Sequence, residues 1–231
     1  MRYKALLLDF YGTLVAEDNR IALETAQAIA AAAPRPLDAR QVGRTWNGHI
    51  QRLCNSAFAE TFRTQRQIEI DSLMLLRDQL QARVDIQILL DRIFGYWVAP
   101  DVFPDGLEFT RYIQQKSLPV CIASNIDTSD LESALSHAGW QFTNRVTSED
   151  CRSYKPRAEM FERSLTILDC QPDEVLHVGD SWTNDVCGAQ ALGIDVAWIN
   201  RDRRAIPDQS AQPTFVVADL RELYTVIEDE S

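Results

Sequence analysis

The sequence predicts an α/β fold: a parallel sheet flanked by helices, with an all-helical insertion between its first strand and the remainder. Three observations carry this expectation. Residues 4–9 (KALLLD) are a short apolar run ending in an acid and a turn, as a buried strand feeding a loop does. Residues 17–97 then carry helical spacing throughout, with no convincing strand. From Pro104 onward, short apolar runs alternate with helical stretches, the pattern of a parallel sheet covered on both faces.

Each element has its own reason. Residues 21–33 are Ala-rich and stop at Pro34, while 41–59, 65–80 and 85–97 repeat apolar residues at spacings of three and four. Downstream, 105–116 reads as helix and 118–123 as strand. Residues 129–138 form a helix closed by Gly139, and 144–147 a short strand. A helix at 157–168 and a strand at 174–178 follow. Then come a helix at 184–192 closed by Gly193, a strand at 194–199, and a strand at 214–217 before a C-terminal helix. The polar stretch 201–213, with two prolines, reads as a surface connection. Residues 1–16 and 98–231 thus form a core and 17–97 a helical cap. Such an insertion suits a lid over the carboxyl ends of the strands, where catalytic groups gather in parallel sheets.

Acidic residues outnumber basic ones, 34 to 23, for a net charge of −11. That argues against nucleic acid or an anionic membrane as partner, since both need a basic surface. No apolar run approaches the ~20 residues needed to cross a bilayer, and the N-terminal apolar stretch is too short for a signal peptide. The five cysteines show no CxxC pair or ligand spacing, so disulfide or zinc roles are not expected and a reducing cytoplasm fits. Nothing in an ordinary soluble composition separates a monomer from a homodimer.

Four polar segments punctuate the α/β pattern: Asp9–Leu14 (DFYGTL), Ser124-Asn125, Lys155-Pro156 and Gly179–Asp185 (GDSWTND). One sheet would bring them to one rim. A carboxylate there can attack phosphorus or carbon and form a covalent intermediate that water hydrolyses. Several carboxylates together repel one another unless a divalent cation intervenes, and hard oxygen donors suit magnesium. Lys155 would offset remaining negative charge. Thr13, Ser124 and Asn125 would supply neutral donors to phosphoryl oxygens.

In these motifs and their order the chain resembles the haloacid dehalogenase-like hydrolase superfamily, in the subgroup with a small helical cap after the first strand. The resemblance covers essentially the whole chain and implies a Rossmann-like core. It also implies that Asp9 is the nucleophile and, with the main-chain oxygen of Tyr11, Asp180 and Asp185, a holder of Mg²⁺. Lys155, Thr13 and Ser124 would hold the phosphate or the intermediate. The expected activity is a magnesium-dependent phosphatase acting on a small phosphorylated metabolite.

One position departs from that pattern. Most phosphatases of the superfamily carry a proton-donating aspartate two residues after the nucleophile, where this chain has Tyr11, and a phenol is a poor acid near neutral pH. Tyrosine is what the true dehalogenases of the superfamily carry, because a halide leaves without a proton. The alternative is therefore a metal-independent dehalogenase of a short 2-haloacid, and a non-catalytic binding protein ranks third. Asp180 argues for the phosphatase, since the dehalogenases usually have a small neutral residue there. His177 reads as a structural strand residue, His49 as a surface helix residue, and Arg63 and Arg66 as a solvated face.

Overall fold

In the computed structural model, which describes residues 2–207 and 211–228, one sheet of six parallel strands forms the centre. The strands are β1 (Ala5–Leu8), β2 (Val120–Ser124), β3 (Arg145–Thr147), β4 (Val175–Gly179), β5 (Asp195–Ile199) and β6 (Phe215–Val217), in the order β3-β2-β1-β4-β5-β6. β1 is flanked by β2 and β4, with Leu8 opposite Ile122 and Val178. This register puts Asp9, Ser124 and Gly179 at one end of the three central strands. The strand order also reverses there, the usual place for a ligand crevice in an open parallel sheet.

Between β1 and β2 lie only helices: α1 (Asn19–Ala32), α2 (Ala39–Ser56), a single 3₁₀ turn, α3 (Gln65–Leu80) and α4 (Ile86–Val98). Asp38, Thr64 and Asp85 cap α2, α3 and α4 by accepting backbone N–H groups of their first turns. After α4 come α5 (Pro104–Gln115), α6 (Thr128–His137), the single turn α7 (Ser148–Cys151) and α8 (Glu159–Leu168).

Alternation in β1 decides which face meets which neighbours. Ala5 and Leu7 pack with Phe161, Val186 and Trp198 on one face. Leu6 and Leu8 face the other way, where a single apolar cluster also takes in Ile29, Trp46, Leu73, Leu90 and Ile93 of the insertion. The insertion is therefore held by continuous packing as well as by its two connections. Polar ties add to this. Asp127, in the loop after β2, accepts the N–H groups of Gln65 (2.6 Å) and Arg66 (3.0 Å) at the start of α3. That satisfies two orphan donors and places negative charge at the positive end of the helix. Arg66 also forms a bidentate pair with Asp130 of α6, and Tyr154 Oη donates to the Arg63 carbonyl.

Three expectations need correction. The helix expected over 184–192 is a π-helical stretch, Trp182–Cys187, followed by a single α turn, Gly188–Gln190. The side chain of Asp185 reaches back to the Ser181 N–H at 2.9 Å, and this local bond competes with regular helix. His49 is 6% exposed, because the face of α2 that carries Trp46 also carries His49 into the packing. Arg63 and Arg66 are ion-paired, to Asp71 and Asp130, instead of free in solvent. Of the stretch 201–213, residues 208–210 lie outside the described residues; Arg201 and Arg204 fold back onto the sheet's working end.

Candidate active site at the carboxyl end of the sheet

Asp9 is the first residue past β1, and its N–H donates to the Val178 carbonyl at 2.9 Å, which fixes it against β4. The chain then turns sharply through Gly12, whose φ of +84° favours glycine. A Cβ there would also stand 2.5 Å from Asp180 Oδ1, so the turn and Asp180 can approach only because residue 12 has no side chain. The same logic holds at the end of β4, where a Cβ on Gly179 would meet Asp185 Cγ at 2.4 Å. Two glycines thus make room for two carboxylates.

Lys155 joins the segments. It is 3% exposed, and its Nζ donates to Asp9 Oδ1 (2.7 Å), Asp185 Oδ1 (2.7 Å) and the Ala123 carbonyl (2.8 Å). All three ammonium donors are therefore used. Thr13 Oγ1 donates to the other oxygen of Asp9 at 3.3 Å. Ser124 is buried at the end of β2. Asn125 corrects an expectation: its Nδ2 donates to the Lys155 carbonyl (3.1 Å), and its Oδ1 accepts from the Lys155 N–H (2.8 Å). Its amide holds the lysine loop in place, so it is a clamp where a phosphate donor was expected.

Asp9, Asp180 and Asp185 each offer an oxygen within 4.8 Å of the others. Burial raises Asp9, and Lys155 only partly offsets this. Burial would raise Asp185 as well, but Lys155 and the His177 ring outweigh it and hold that carboxylate ionised. Burial, then the charges of Asp9 and Asp185, push Asp180 up to about 9. For Lys155, burial acts downward and the two carboxylates overcome it, so it remains an ammonium. Burial also lowers His177, which favours a neutral ring donating from Nε2 to Asp185 Oδ1 at 3.0 Å. Asp185 is thus bonded to Lys155, His177 and the Ser181 N–H, while Asp180 accepts no close donor on its carboxylate.

Tyr11 behaves differently from a proton donor. Its Oη donates to the Trp97 carbonyl at the end of α4, and burial raises its pKa further. Other contributors were not foreseen. His177, expected to be merely structural, buttresses Asp185. Arg201 donates to the Thr13 carbonyl (2.8 Å) and to Asp105 (2.8 Å), which fixes the turn after Asp9. Trp198 and Arg204 donate to the Asp180 carbonyl. The cluster RDRR at 201–204 was the available signal, but arginines in a polar stretch look like solvated surface until the sheet folds them back.

Residues 3–193 match the family model described as haloacid dehalogenase-like hydrolase. The chain belongs to that family of hydrolases. Among curated relatives it is 31% identical over 123 residues to the (S)-2-haloacid dehalogenase H-109 of Pseudomonas putida, covering 52% of this chain and 54% of the relative. It is 28% identical over 123 residues to the ribulose-1,5-bisphosphate 5-phosphatase of Halopiger xanaduensis, covering 51% and 52%. The chain spans about half the length of the curated relatives it matches. Among solved structures, L-2-haloacid dehalogenase from Xanthobacter autotrophicus superposes with a TM-score of 0.76 at 21% identity, covering 99% of this chain and 100% of the other. The magnesium-bound HAD-hydrolase YfnB of Bacillus subtilis does so with 0.76 at 22% identity and the same coverage. At such identities the likeness shows the fold: a Rossmann-like parallel sheet.

Proposed function

We propose that this hydrolase displaces halide from a 2-haloacid through an ester on Asp9. The observation that carries the reading is Tyr11. Its hydroxyl is committed to the Trp97 carbonyl, so the position that would protonate an alcohol leaving group holds no usable acid. A halide needs none. An Asp9 oxygen attacks the carbon bearing the halogen, the new C–O bond forms as the carbon–halogen bond breaks, and halide leaves with the electron pair. Water then cleaves the ester, giving the 2-hydroxyacid and restoring the carboxylate. Lys155 holds Asp9 in place and favours its ionised form, with Thr13 on its other oxygen. The haloacid dehalogenases among the relatives support this reading over the phosphatase expectation.

A second reading rests on a different observation, the three carboxylate oxygens within 4.8 Å. Their hard donor chemistry fits Mg²⁺, which Asp9, Asp180, Asp185 and the Tyr11 main-chain oxygen would hold. When bound, the ion would neutralise the carboxylates and polarise a phosphoryl group. With Tyr11 in place, this reading is confined to leaving groups that depart without a proton, such as acyl or aryl phosphates. In either case helices α1–α4 act as the cap: a cleft of about 1020 Å³ is lined by residues of the insertion and by Asn125, Lys155 and Asn184.

Halide release from 2-halopropionate and phosphate release from acetyl and aryl phosphates, each with Mg²⁺ and with EDTA, decide between the readings. EDTA-resistant halide release is the expected result. Phosphate release that EDTA abolishes, without halide release, would replace the first reading with the second.

A further inference from the structure

The cleft is large for a short haloacid. Its volume of about 1020 Å³ lies at the top of the roughly 300–1,000 Å³ typical of drug-sized ligands, so a three-carbon acid leaves most of it unfilled. The wall contributed by the insertion has its own chemistry. Glu69 of α3 lines the cleft and is 3% exposed, yet its Oε1 has no hydrogen-bond partner. Buried carboxyl oxygens are rarely left in that state. Asp18, just before α1, lines the same cleft, as do the rings of Trp46 and Trp97.

Both indole N–H groups are already engaged. Trp46 Nε1 donates to Ser72 Oγ and Trp97 Nε1 to Asp18 Oδ2, each at 2.9 Å. What the indoles still offer is their π faces, which attract cations. The basic residues of the cleft do not neutralise this wall. Lys155 is bonded to Asp9 and Asp185, Arg157 donates to the Asn55 carbonyl, and no hydrogen bond or ion pair to Glu69 or Asp18 comes from Arg40 among the described residues. Burial, with Asp18's charge second, pushes Glu69 up to about 8, which places the two carboxyls within electrostatic reach of each other.

We propose that Asp18 and Glu69, set beside the indoles of Trp46 and Trp97, form a subsite for an ammonium group. The substrate then carries an amine at the end away from the bond that Asp9 attacks. A cation there gives Glu69 its missing donor, relieves the Glu69–Asp18 repulsion, and meets aromatic carbon on the remaining side. The inference deepens the proposed function and rests on it only in taking Asp9 as the reacting end.

Binding is the test, read through tryptophan emission because two of the five tryptophans lie in this wall. In the intact chain, n-propylammonium should give a saturable change in emission that 1-propanol does not give. Half-saturation should rise at least tenfold in Glu69→Gln and in Asp18→Asn, the latter retaining an acceptor for Trp97. An equal response to ammonium and alcohol, or unchanged half-saturation in both variants, would overturn the subsite. If a variant fails to fold, as judged by circular dichroism, the ammonium–alcohol pair on the unaltered chain still decides. A 2-haloacid with a terminal amine should also show at least a tenfold lower KM than its plain alkyl counterpart, with kcat little changed. No turnover of either acid would count against the reading of Asp9, whereas ammonium binding tests the subsite alone.

Discussion

The sheet rim and the insertion wall face one cleft but treat buried charge in opposite ways. At the rim, Lys155 gives all three donors away, Asp9 and Asp185 are paired with it, and Asn125, His177 and Arg201 brace the neighbours. In the insertion, Glu69 Oε1, His49 Nδ1 and Thr25 Oγ1 are buried without partners. The rim is complete before anything binds, as groups that must hold a reacting carboxylate in one geometry need to be. The insertion wall is incomplete in a way that an incoming donor would mend. One region fixes the chemistry and the other selects what undergoes it.

Breaking the rim should have the largest consequences. Asp9→Asn removes the nucleophile and should lower turnover at least a thousandfold while leaving Lys155 paired with Asp185; full turnover in steady-state assays would refute covalent catalysis at Asp9. Lys155→Met leaves two buried carboxylates without their cation and should cost about 3–5 kcal/mol in urea unfolding. A loss below 1 kcal/mol would mean that the rim is less tightly organised than its hydrogen bonds indicate.

Altering the insertion should act through pH. Glu69 titrates near 8 in the folded chain and near 4.5 in the unfolded one. Between those values the folded state holds a proton that the unfolded state has lost. Stability therefore falls as pH rises through that window, by at most roughly 1.4 kcal/mol per pH unit from this group. Glu69→Gln should flatten that fall, seen by comparing urea unfolding of the two proteins at pH 6 and pH 8. Parallel slopes would place the buried proton elsewhere. The smallest effect is expected where the two regions meet. Arg66→Ala removes a half-exposed ion pair to Asp130 and should cost about 1 kcal/mol, with a rise in KM if α3 shifts relative to the rim.

Much of the fold was legible because hydrophobic periodicity is a local property. The helix at 65–80 matches α3 at both ends, and the four helices of the insertion and six strands of the sheet lie where their patterns put them, within a few residues. The expected helix at 184–192 failed for a local reason that needs tertiary context. Asp185 bonds to Ser181 only because Gly179 and Lys155 leave it in that position.

For the site, the sequence by itself determined which residues meet. Short polar motifs after apolar strands must share a rim once the strands run parallel, and Asp9, Thr13, Lys155, Asp180 and Asp185 do come together there. Only the tertiary structure decided what each side chain is occupied with. Asn125 clamps the lysine loop, Tyr11 is bonded to α4, His177 and Arg201 support the rim, and Glu69 is left without a partner. Those assignments depend on contacts between residues up to 188 positions apart, and no local pattern encodes which distant donor reaches which acceptor.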